Sequence, residues 1–344
     1  MTSLAQLTTM RVGGVPAKIS HCRNRDDLVA ATLELWRTGE DWLLLGGGSN
    51  VVVADQVPNL QVISVENRGV EDLGINATGK RVFRVQAGEN WDDFVAQTVS
   101  LGLSGIEAMS GIPGSVGAGP VQNIGAYAQE LSQVLTRVEF LDFETHEIFE
   151  LSNEELEFGY RDSAIKRGRL GLITWVEFEL ADNSGLSDPL GSSQIAADLS
   201  VPLGSTVPVI DVRKSVLKLR ASKGMVLDPA DPDSVSCGSF FTNPIVSDRF
   251  ARTLPASAPR WETPQDDGLT VKLSAAWLIE SAGISKGFAL PGSKAAISSK
   301  HSLAITNRGG ASAQEILQLA EFVQARVSNQ FGIILQAEPN LIGF

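Results

Sequence analysis

Cysteine, histidine and tyrosine are scarce in this chain of 344 residues, which contains two cysteines, three histidines and two tyrosines. Cys22 and Cys237 have no metal-ligand neighbours at a useful spacing, and His21, His146 and His301 are scattered along the chain. This pattern argues against a structural zinc site. We expect no bound metal.

Long apolar runs and positive charge are missing as well. No segment approaches the roughly 18 uninterrupted apolar residues of a membrane-spanning helix, and the N-terminus lacks the features of a secretory signal. The net charge of −12 argues against a general nucleic-acid binder, but it leaves room for an anionic ligand at a local cluster of N–H groups and cations. We expect a soluble, cytoplasmic monomer with no nucleic-acid partner and no membrane insertion. Its length allows two or three domains.

Glycine, by contrast, is concentrated in two places. Residues 105–127 contain six glycines among regularly placed apolar side chains, and GGGSN at 46–50 lies between two short apolar runs. Glycine lets a backbone come close to a ligand, and successive exposed N–H groups can bind an anion. Neither cluster fits the Rossmann or P-loop pattern. Together they predict a cradle for a buried diphosphate, and the alternative is an irregular core loop.

Hydrophobic periodicity and turn signals predict a mixture of helices and strands. The predicted helices are 25–38, 91–101, 211–222, 273–281 and a helix capped by Ser312 and Glu315 that extends to about 329. The predicted strands are 42–45, 51–53, 60–65, 81–87, 134–143, 148–151, 172–180 and 333–335. Residues 181–207 and 224–235 are predicted loops, and residues 255–268 are rich in Pro, Ser and Asp. The fold class is α+β.

Eight segments, in this order, resemble the UDP-N-acetylenolpyruvoylglucosamine reductase (MurB) family of flavoenzymes. They are MRVGG at 10–14, GGGSN at 46–50, GIPGSVG at 111–117, QNIGAY at 122–127, GYRDS at 159–163, GSFFTNP at 238–244, AWLIE at 276–280, and Glu338 followed by LIG at 341–343. Each segment is modest alone, but eight in order are highly specific. The resemblance spans nearly the whole chain.

The resemblance implies a bound FAD, NADPH as electron donor and a UDP-linked enolpyruvyl sugar as acceptor, in the synthesis of peptidoglycan precursors for the cell wall. It also implies the FAD-binding fold of the vanillyl-alcohol-oxidase type, with two α+β subdomains, and an α+β substrate-binding domain. We expect FAD-binding subdomain 1 at 1–67 and 333–344, FAD-binding subdomain 2 at 68–222, and the substrate-binding domain at 223–332. The C-terminal strand should return to subdomain 1.

The resemblance also assigns site residues. The implied catalytic residues are Arg161, whose planar fork suits a carboxylate, Ser239 as proton donor, and Glu338 as its acidic partner. The cofactor-binding residues are Gly46, Gly47, Gly48, Ser49, Asn50, Gly111, Gly114, Ser115, Gly117, Asn123, Gly125 and Ala126. The substrate-binding residues are Tyr160, Lys223, Asn243 and Lys286.

Three features depart from the family pattern. Family members with an insertion loop in the second subdomain, the variant that this chain resembles, can carry a substrate-contacting tyrosine there, but residues 181–210 contain none. Asn340 stands where many members place a flavin-contacting arginine, and His301 falls near where some use glutamine. None of these changes touches the three catalytic positions.

Two other functions compete with the reductase. The first is an FAD oxidase of the same fold that acts on an alcohol or a sugar. Many such oxidases tether flavin through histidine or cysteine, and neither glycine cluster contains either residue. The second is a catalytically idle nucleotide-binding scaffold, against which the joint retention of Arg161, Ser239 and Glu338 argues.

Overall fold

The computed structural model describes residues 2–265 and 268–344. Met1, with which predicted subdomain 1 begins, and Asp266 and Asp267 of the segment 255–268 lie outside the described residues. The chain forms two compact units. The glycine-loop unit comprises Pro16–Gly48 and Pro58–Ala221, and the terminal unit comprises Met1–Val15, Ser49–Val57 and Ser222–Phe344. The division into three subdomains stays a prediction.

The helices of the glycine-loop unit begin and end at residues that the sequence marks. They are α1 Arg25–Thr38, α2 Trp91–Ser100, α3 Ser193–Asp198 and α4 Val209–Ala221. The side chain of Asn24 accepts a hydrogen bond from the backbone N–H of Asp27 at the start of α1, and Gly39 ends this helix with φ 69°. Asn90 caps α2 in the same way as Asn24 caps α1. Because these signals act locally, the sequence was sufficient to find both helices.

The terminal unit contains three helices and seven short strands among its described residues. They are α5 Asp248–Ala251, α6 Ala275–Ser281, α7 Ala313–Phe331, β3 Val51–Val53, β12 Ile245–Ser247, β13 Arg260–Gln265, β14 Gly268–Leu273, β15 Ala295–Ile297, β16 Ile305–Asn307 and β17 Asn340–Ile342. The predicted capping box of α7 is present, since Ser312 and Glu315 exchange hydrogen bonds between side chain and backbone. The buried face of α7, which includes Ile316, Leu319 and Val323, belongs to the core of this unit.

The glycine-loop unit is built on two main sheets. Its strands are β1 Lys18–Cys22, β2 Trp42–Leu45, β4 Gln61–Val65, β5 Val70–Ile75, β6 Arg81–Gln86, β7 Gly125–Ala126, β8 Gln129–Glu130, β9 Leu135–Asp142, β10 Ile148–Ser152 and β11 Gly171–Leu180. A parallel sheet has the order β1-β4-β2, and an antiparallel sheet has the order β10-β9-β11-β6-β5. Phe83, Trp91, Phe94 and Phe178 form the aromatic centre of the core against the second sheet.

The prediction of a strand at 333–335 is wrong. Residues 333–335 form no strand, and the C-terminal strand is β17, which pairs in parallel with β3. Ile333 and Leu335 are apolar because they are buried in the core beside α7, and the carbonyl of Leu335 accepts a hydrogen bond from Gln324 on that helix. A buried apolar run can be a strand or an irregular segment, and periodicity alone does not distinguish the two.

The prediction that 181–207 is entirely loop is also wrong, because it contains α3. Ser192 caps this helix, and Ile195 and Ala196 are buried with Val212 and Val216 of α4. The segment therefore forms a small core of its own with α4. The sequence also did not predict strands β1, β5, β7, β8 and β12 to β16. Strand β5, for example, exposes most of its residues and shows no apolar alternation. Within the described residues, no helix has the length and apolar character that crossing a membrane requires.

Candidate active site

The two glycine clusters of the sequence meet in the glycine-loop unit. Gly46 and Gly47 directly follow β2, and their backbone lies against residues 114–115 of the second cluster. A Cβ atom placed on Gly47 would lie 2.7 Å from the Cα atom of Gly114, and one on Gly46 would clash with Oγ of Ser115. Gly47 is therefore required by the close approach of two backbones, whereas Gly46 is opposed by the side chain of Ser115.

The second cluster is a folded part of the core and not a linker. The N–H of Trp91 donates to the carbonyl of Gly114 at 3.1 Å, and the N–H groups of Val116 and Gly117 donate to the carbonyls of Glu89 and Ala87 at 2.9 and 2.8 Å. These bonds attach the loop to the junction between β6 and α2. The loop is therefore held in one conformation.

A small, mostly apolar cavity of about 110 Å³ lies beside this crossing. Its lining includes Leu44, Val65, Val121 and Ile165, and Ser115 supplies a hydroxyl. Crossed backbones that leave no room for a Cβ atom, next to an apolar cavity, fit a dinucleotide whose phosphates need close N–H groups and whose flat rings need an apolar surface. A cavity of this size admits only part of one ring, so the residues present fit FAD at the backbone crossing and at one edge of a ring.

Arg161 is fixed by the backbone of the same loop. Its Nη2 atom donates to the carbonyl of Gly125 at 2.6 Å, its Nη1 atom donates to the carbonyl of Asn123 at 3.4 Å, and its guanidinium lies 5.5 Å from the ring centre of Tyr160. Arg161 itself has φ 53°, in the left-handed region that non-glycine residues rarely adopt. The structure thus brings Arg161 and Tyr160 to residues 123–126, where Gly125 and Ala126 form β7.

The side chain of Asn123 is committed to hydrogen bonds within the protein. Its Nδ2 atom donates to the carbonyl of Gly159 at 3.0 Å and to Glu130 at 3.1 Å, and its Oδ1 atom accepts from the N–H of Ser132 at 3.0 Å. Asn123 is almost completely buried. The cofactor role predicted for Asn123 would therefore use its backbone, while its side chain holds the loop in place for Arg161.

Arg220, in the last turn of α4, is a candidate that sequence reasoning missed. Burial lowers the pKa of Arg220 to about 10, and Tyr127, Asp92 and Arg161 all interact with its charge. The guanidinium groups of Arg161 and Arg220 lie near each other, and two positive charges close together favour a bound anion. The signal available in the sequence was that Arg213 and Arg220 are seven residues apart on a predicted helix and so share a face.

Ser239 and Glu338 lie on neighbouring segments of the terminal unit. The N–H of Glu338 donates to the carbonyl of Phe240 at 2.9 Å, and Phe241 forms an antiparallel bridge with Ala337. Burial, with a smaller contribution from the Glu338 carboxylate, raises the pKa of Cys237 to about 12. The Glu338 carboxylate is therefore close enough to raise the pKa of Cys237, which lies two positions before Ser239.

The terminal unit also carries three of the predicted substrate-binding residues. Partial burial, together with the charges of Lys223 and Lys286, lowers the pKa of His301 to about 4, so each lysine lies near one half-buried imidazole. Asn243 accepts a hydrogen bond from the N–H of Ala275 at 3.0 Å, at the start of α6. Lys223, Lys286 and His301 therefore form a cationic cluster whose histidine is neutral at pH 7.

The predicted site residues are divided between the two units. Arg161, Tyr160, Gly46–48 and the predicted cofactor residues between 111 and 126 belong to the glycine-loop unit. The terminal unit contains Ser49, Asn50, Lys223, Ser239, Asn243, Lys286 and Glu338. Asn50 is linked to the catalytic segment by a hydrogen bond from its Nδ2 atom to the carbonyl of Glu338 at 3.3 Å. Across residues 2–265 and 268–344, no cluster of three or more His, Cys, Asp or Glu side chains could hold a metal ion.

Comparisons with known proteins agree with this arrangement. Residues 229–342 match the C-terminal domain of UDP-N-acetylenolpyruvoylglucosamine reductase, and residues 16–152 match an FAD binding domain. The chain is 54% identical to the UDP-N-acetylenolpyruvoylglucosamine reductase of Leifsonia xyli, over 99% of this chain and 98% of the relative. The chain belongs to the UDP-N-acetylenolpyruvoylglucosamine reductase family.

Other members of this reductase family give the same result. The protein of that name from Thermobifida fusca is 47% identical over 99% of this chain and 96% of its own length. The crystal structure of MurB from Thermus caldophilus has a similar fold, with a TM-score of 0.66, 24% identity, and coverage of 99% of this chain and 97% of that chain. The predicted family and the predicted α+β fold with an FAD-binding domain are confirmed, and the chain is an oxidoreductase of this family.

Proposed function

We propose that this protein reduces UDP-N-acetylglucosamine enolpyruvate to UDP-N-acetylmuramate with NADPH and FAD, in peptidoglycan precursor synthesis. The observation that carries the proposal is the crossing of the two glycine clusters, where Gly46 and Gly47 lie against Gly114 and Ser115 with no room for a side chain. This crossing offers a cofactor site. The chain also aligns over nearly its whole length with relatives that are named as this reductase.

The residues that would hold FAD are those of the two glycine clusters, with residues 123–126 beside them. Bound FAD would supply hydride transfer, from NADPH to the enolpyruvyl alkene. The protein's own contribution to that site would be a backbone approach at Gly47 and Gly114 that is too close for side chains, and an apolar cavity for part of a flat ring. Neither Cys22 nor Cys237 is exposed, so a thioether tether to flavin is not expected.

Arg161 would bind the carboxylate of the enolpyruvyl group. Addition of hydride to one alkene carbon places negative charge on the other carbon and on the carboxylate. A guanidinium that two backbone carbonyls already orient can stabilise that charge without reorganising. The charge of Arg220 nearby strengthens the preference for an anion.

Ser239 would donate the proton that completes the reduction, with Glu338 as its acidic partner. A hydroxyl is a weak acid, so proton transfer from Ser239 requires a strongly basic carbon, which the reduced enolpyruvyl group provides. The hydrogen bond between the backbones of Glu338 and Phe240 fixes the segments that carry these two side chains. This pairing supports assigning both residues to the protonation step.

The remaining predicted residues suit the other end of the substrate. Lys223 and Lys286 form a cationic cluster that would receive the diphosphate as point charges. Tyr160 and Asn243 would make polar contacts with the sugar or the nucleotide. We also propose that the protein is cytoplasmic, because its proposed substrates, a nucleotide sugar and NADPH, are cytoplasmic metabolites, and the monomer stays a prediction. Light scattering of the purified chain measures the oligomeric state.

The test is the visible spectrum of the purified protein through one anaerobic cycle. We expect a flavin spectrum that NADPH bleaches and that UDP-N-acetylglucosamine enolpyruvate then restores. Denaturation should release all of the flavin into the supernatant. A colourless protein that FAD does not reconstitute would exclude a flavoenzyme. A different result would identify an oxidase: the enolpyruvyl sugar would fail to restore the flavin spectrum, and an alcohol or a free sugar would reduce the flavin.

A further inference from the structure

One carboxylate joins three parts of the glycine-loop unit. Asp92, in the first turn of α2, accepts a hydrogen bond from the backbone N–H of Gly111 at 2.6 Å. Arg213 of α4 donates two more, from Nη1 at 2.5 Å and from Nη2 at 2.9 Å. The side chains of Arg213 and Asp92 are 15% and 31% exposed. A bidentate ion pair between a guanidinium and a carboxylate is strong and geometrically specific, and partial shielding from water strengthens it further.

The two ends of the segment 111–114 are held in different ways. At the end that packs against Gly47, the carbonyl of Gly114 accepts from the backbone N–H of Trp91, so this anchor does not depend on any side chain. At the other end Gly111 has φ 71°, and its N–H is bonded to the Asp92 side chain. The conformation at Gly111 therefore depends on a carboxylate that a substitution can remove.

Arg213 keeps that carboxylate ionised and oriented. Burial by itself would raise the pKa of Asp92, but the hydrogen bonds from Arg213 and from the Gly111 amide hold this pKa below its usual range. An ionised carboxylate only accepts hydrogen bonds, so it is a constant partner for the N–H of Gly111. Arg213 lies two turns before Arg220 on α4, so this helix connects the glycine segment with the cationic site at Arg161.

We propose that Arg213 and Asp92 are positioning residues for the flavin. They hold Gly111, the end of the segment 111–114 that Trp91 does not anchor, in the conformation that flavin binding requires, and neither residue reacts with cofactor or substrate. This inference rests on the proposed function, in which the glycine clusters bind FAD. It predicts that losing the pair weakens FAD binding more than it lowers the stability of the apoprotein.

The experiment is an FAD titration of the full-length apoprotein, with the melting temperature of each apoprotein measured in parallel. The variants are Arg213→Met, Asp92→Asn and the exchanged pair Asp92→Arg/Arg213→Asp. The matched control is Lys218→Met, which removes another ion pair of α4, with Asp198 of the 181–207 segment. Arg213→Met should raise the Kd for FAD about ten- to a hundredfold, the range for loss of a hydrogen bond to a charged group. Lys218→Met should leave the Kd unchanged.

The exchanged pair separates positioning from simple stabilisation. It restores an ion pair, and with it the melting temperature of the apoprotein, but an arginine at position 92 cannot accept the N–H of Gly111. Its Kd should stay raised, and hydrogen exchange at the Gly111 amide should be fast. Asp92→Asn, nearly isosteric and still an acceptor, should give an intermediate Kd.

Two results would overturn the inference. One is a Kd that follows the melting temperature across the series, so that the exchanged pair recovers both. The other is a Kd that stays at the wild-type value in both Arg213→Met and Asp92→Asn. If the wild-type apoprotein itself does not bind FAD, the proposed function fails, and the role of the pair fails with it.

Discussion

The proposed role of Ser239 is proton donation, for which a hydroxyl is poorly suited, so its replacement is the sharpest test at the scale of single residues. Reduction of the flavin by NADPH requires no proton on substrate carbon, whereas reoxidation by the enolpyruvyl sugar does. Ser239→Ala should leave the first half-reaction nearly intact and slow the second by ~10²–10⁴-fold or more, the usual contribution of general acid catalysis. Rapid mixing of each half-reaction measures both rates.

A matched control for Ser239→Ala is Ser328→Ala, which removes a half-buried hydroxyl from α7 in the same unit. It should change neither half-reaction. Glu338→Gln should resemble Ser239→Ala, because the two residues are assigned to one step. If Ser239→Ala slows both half-reactions equally, or neither, the serine is not the proton donor.

His301 makes a prediction about stability and pH. Burial, with Lys223 and Lys286 nearby, lowers the pKa of His301 to about 4 in the folded protein, whereas an unfolded chain has a histidine pKa of about 6.5. Between these values the unfolded state binds a proton that the native state does not bind. The neutral His301 therefore contributes up to about 3 kcal/mol to the free energy of unfolding. This contribution is fully present above pH 6.5 and is lost as the pH falls toward 4.

His301→Gln should flatten the dependence of stability on pH. Denaturant unfolding at pH 7 and at pH 4.5 should show a smaller loss in this variant than in the wild type, by about 2 kcal/mol. His146→Asn is the control, because His146 is exposed and its φ of 59° is one that asparagine tolerates. The same loss of stability in the wild type, the control and the variant would contradict the low pKa of His301.

At the scale of elements, the crossing of the glycine clusters predicts the effect of one added methyl group. Gly47→Ala places a Cβ atom 2.7 Å from the Cα atom of Gly114, and backbone on both sides leaves nothing that can move cheaply. Overpacking of this kind costs roughly 1–3 kcal/mol. We expect the Kd for FAD to rise at least about tenfold, and Gly114→Ala, at φ 134°, to do the same.

The control for the crossing is Gly79→Ala, in the turn between β5 and β6. Gly79 has φ 82°, but no atom lies within 4 Å of the Cβ position, so this variant has backbone strain without a clash at the cofactor site. It should lose about 1 kcal/mol of stability and bind FAD normally. Fluorescence titration of FAD into each apoprotein measures the difference. Normal binding in both Gly47→Ala and Gly114→Ala would favour an irregular core loop without a cofactor.

At the scale of the whole molecule, local charge departs from the net charge of −12. Arg161 and Arg220 lie near each other in the glycine-loop unit, and Lys223 and Lys286 each lie near His301 in the terminal unit. The proposed substrate is an anion with a carboxylate and a diphosphate, and each of these groups has a cationic pair assigned to it. An acidic chain can therefore bind an anionic substrate, because nearby charges dominate over screened distant ones.

The sequence by itself determined what depends on local chemistry. The caps of α1, α2 and α7 were predictable because a single side chain satisfies N–H groups within one turn. The prediction that the glycine clusters bind the cofactor likewise rests on residue types that permit a backbone that others do not. Family and fold class followed from eight short segments in order.

Only the tertiary structure decided which distant side chains share one site. Asp92, Gly111 and Arg213 are far apart in the chain, and nothing in their local sequence indicates that one carboxylate joins them. Arg220 was missed for the same reason. The strand β17 is mostly exposed and pairs with β3, whereas the more apolar segment 333–335 is mostly buried without strand pairing. Hydrogen-bond partners from elsewhere in the chain are set by packing, so they had to be seen in the folded protein.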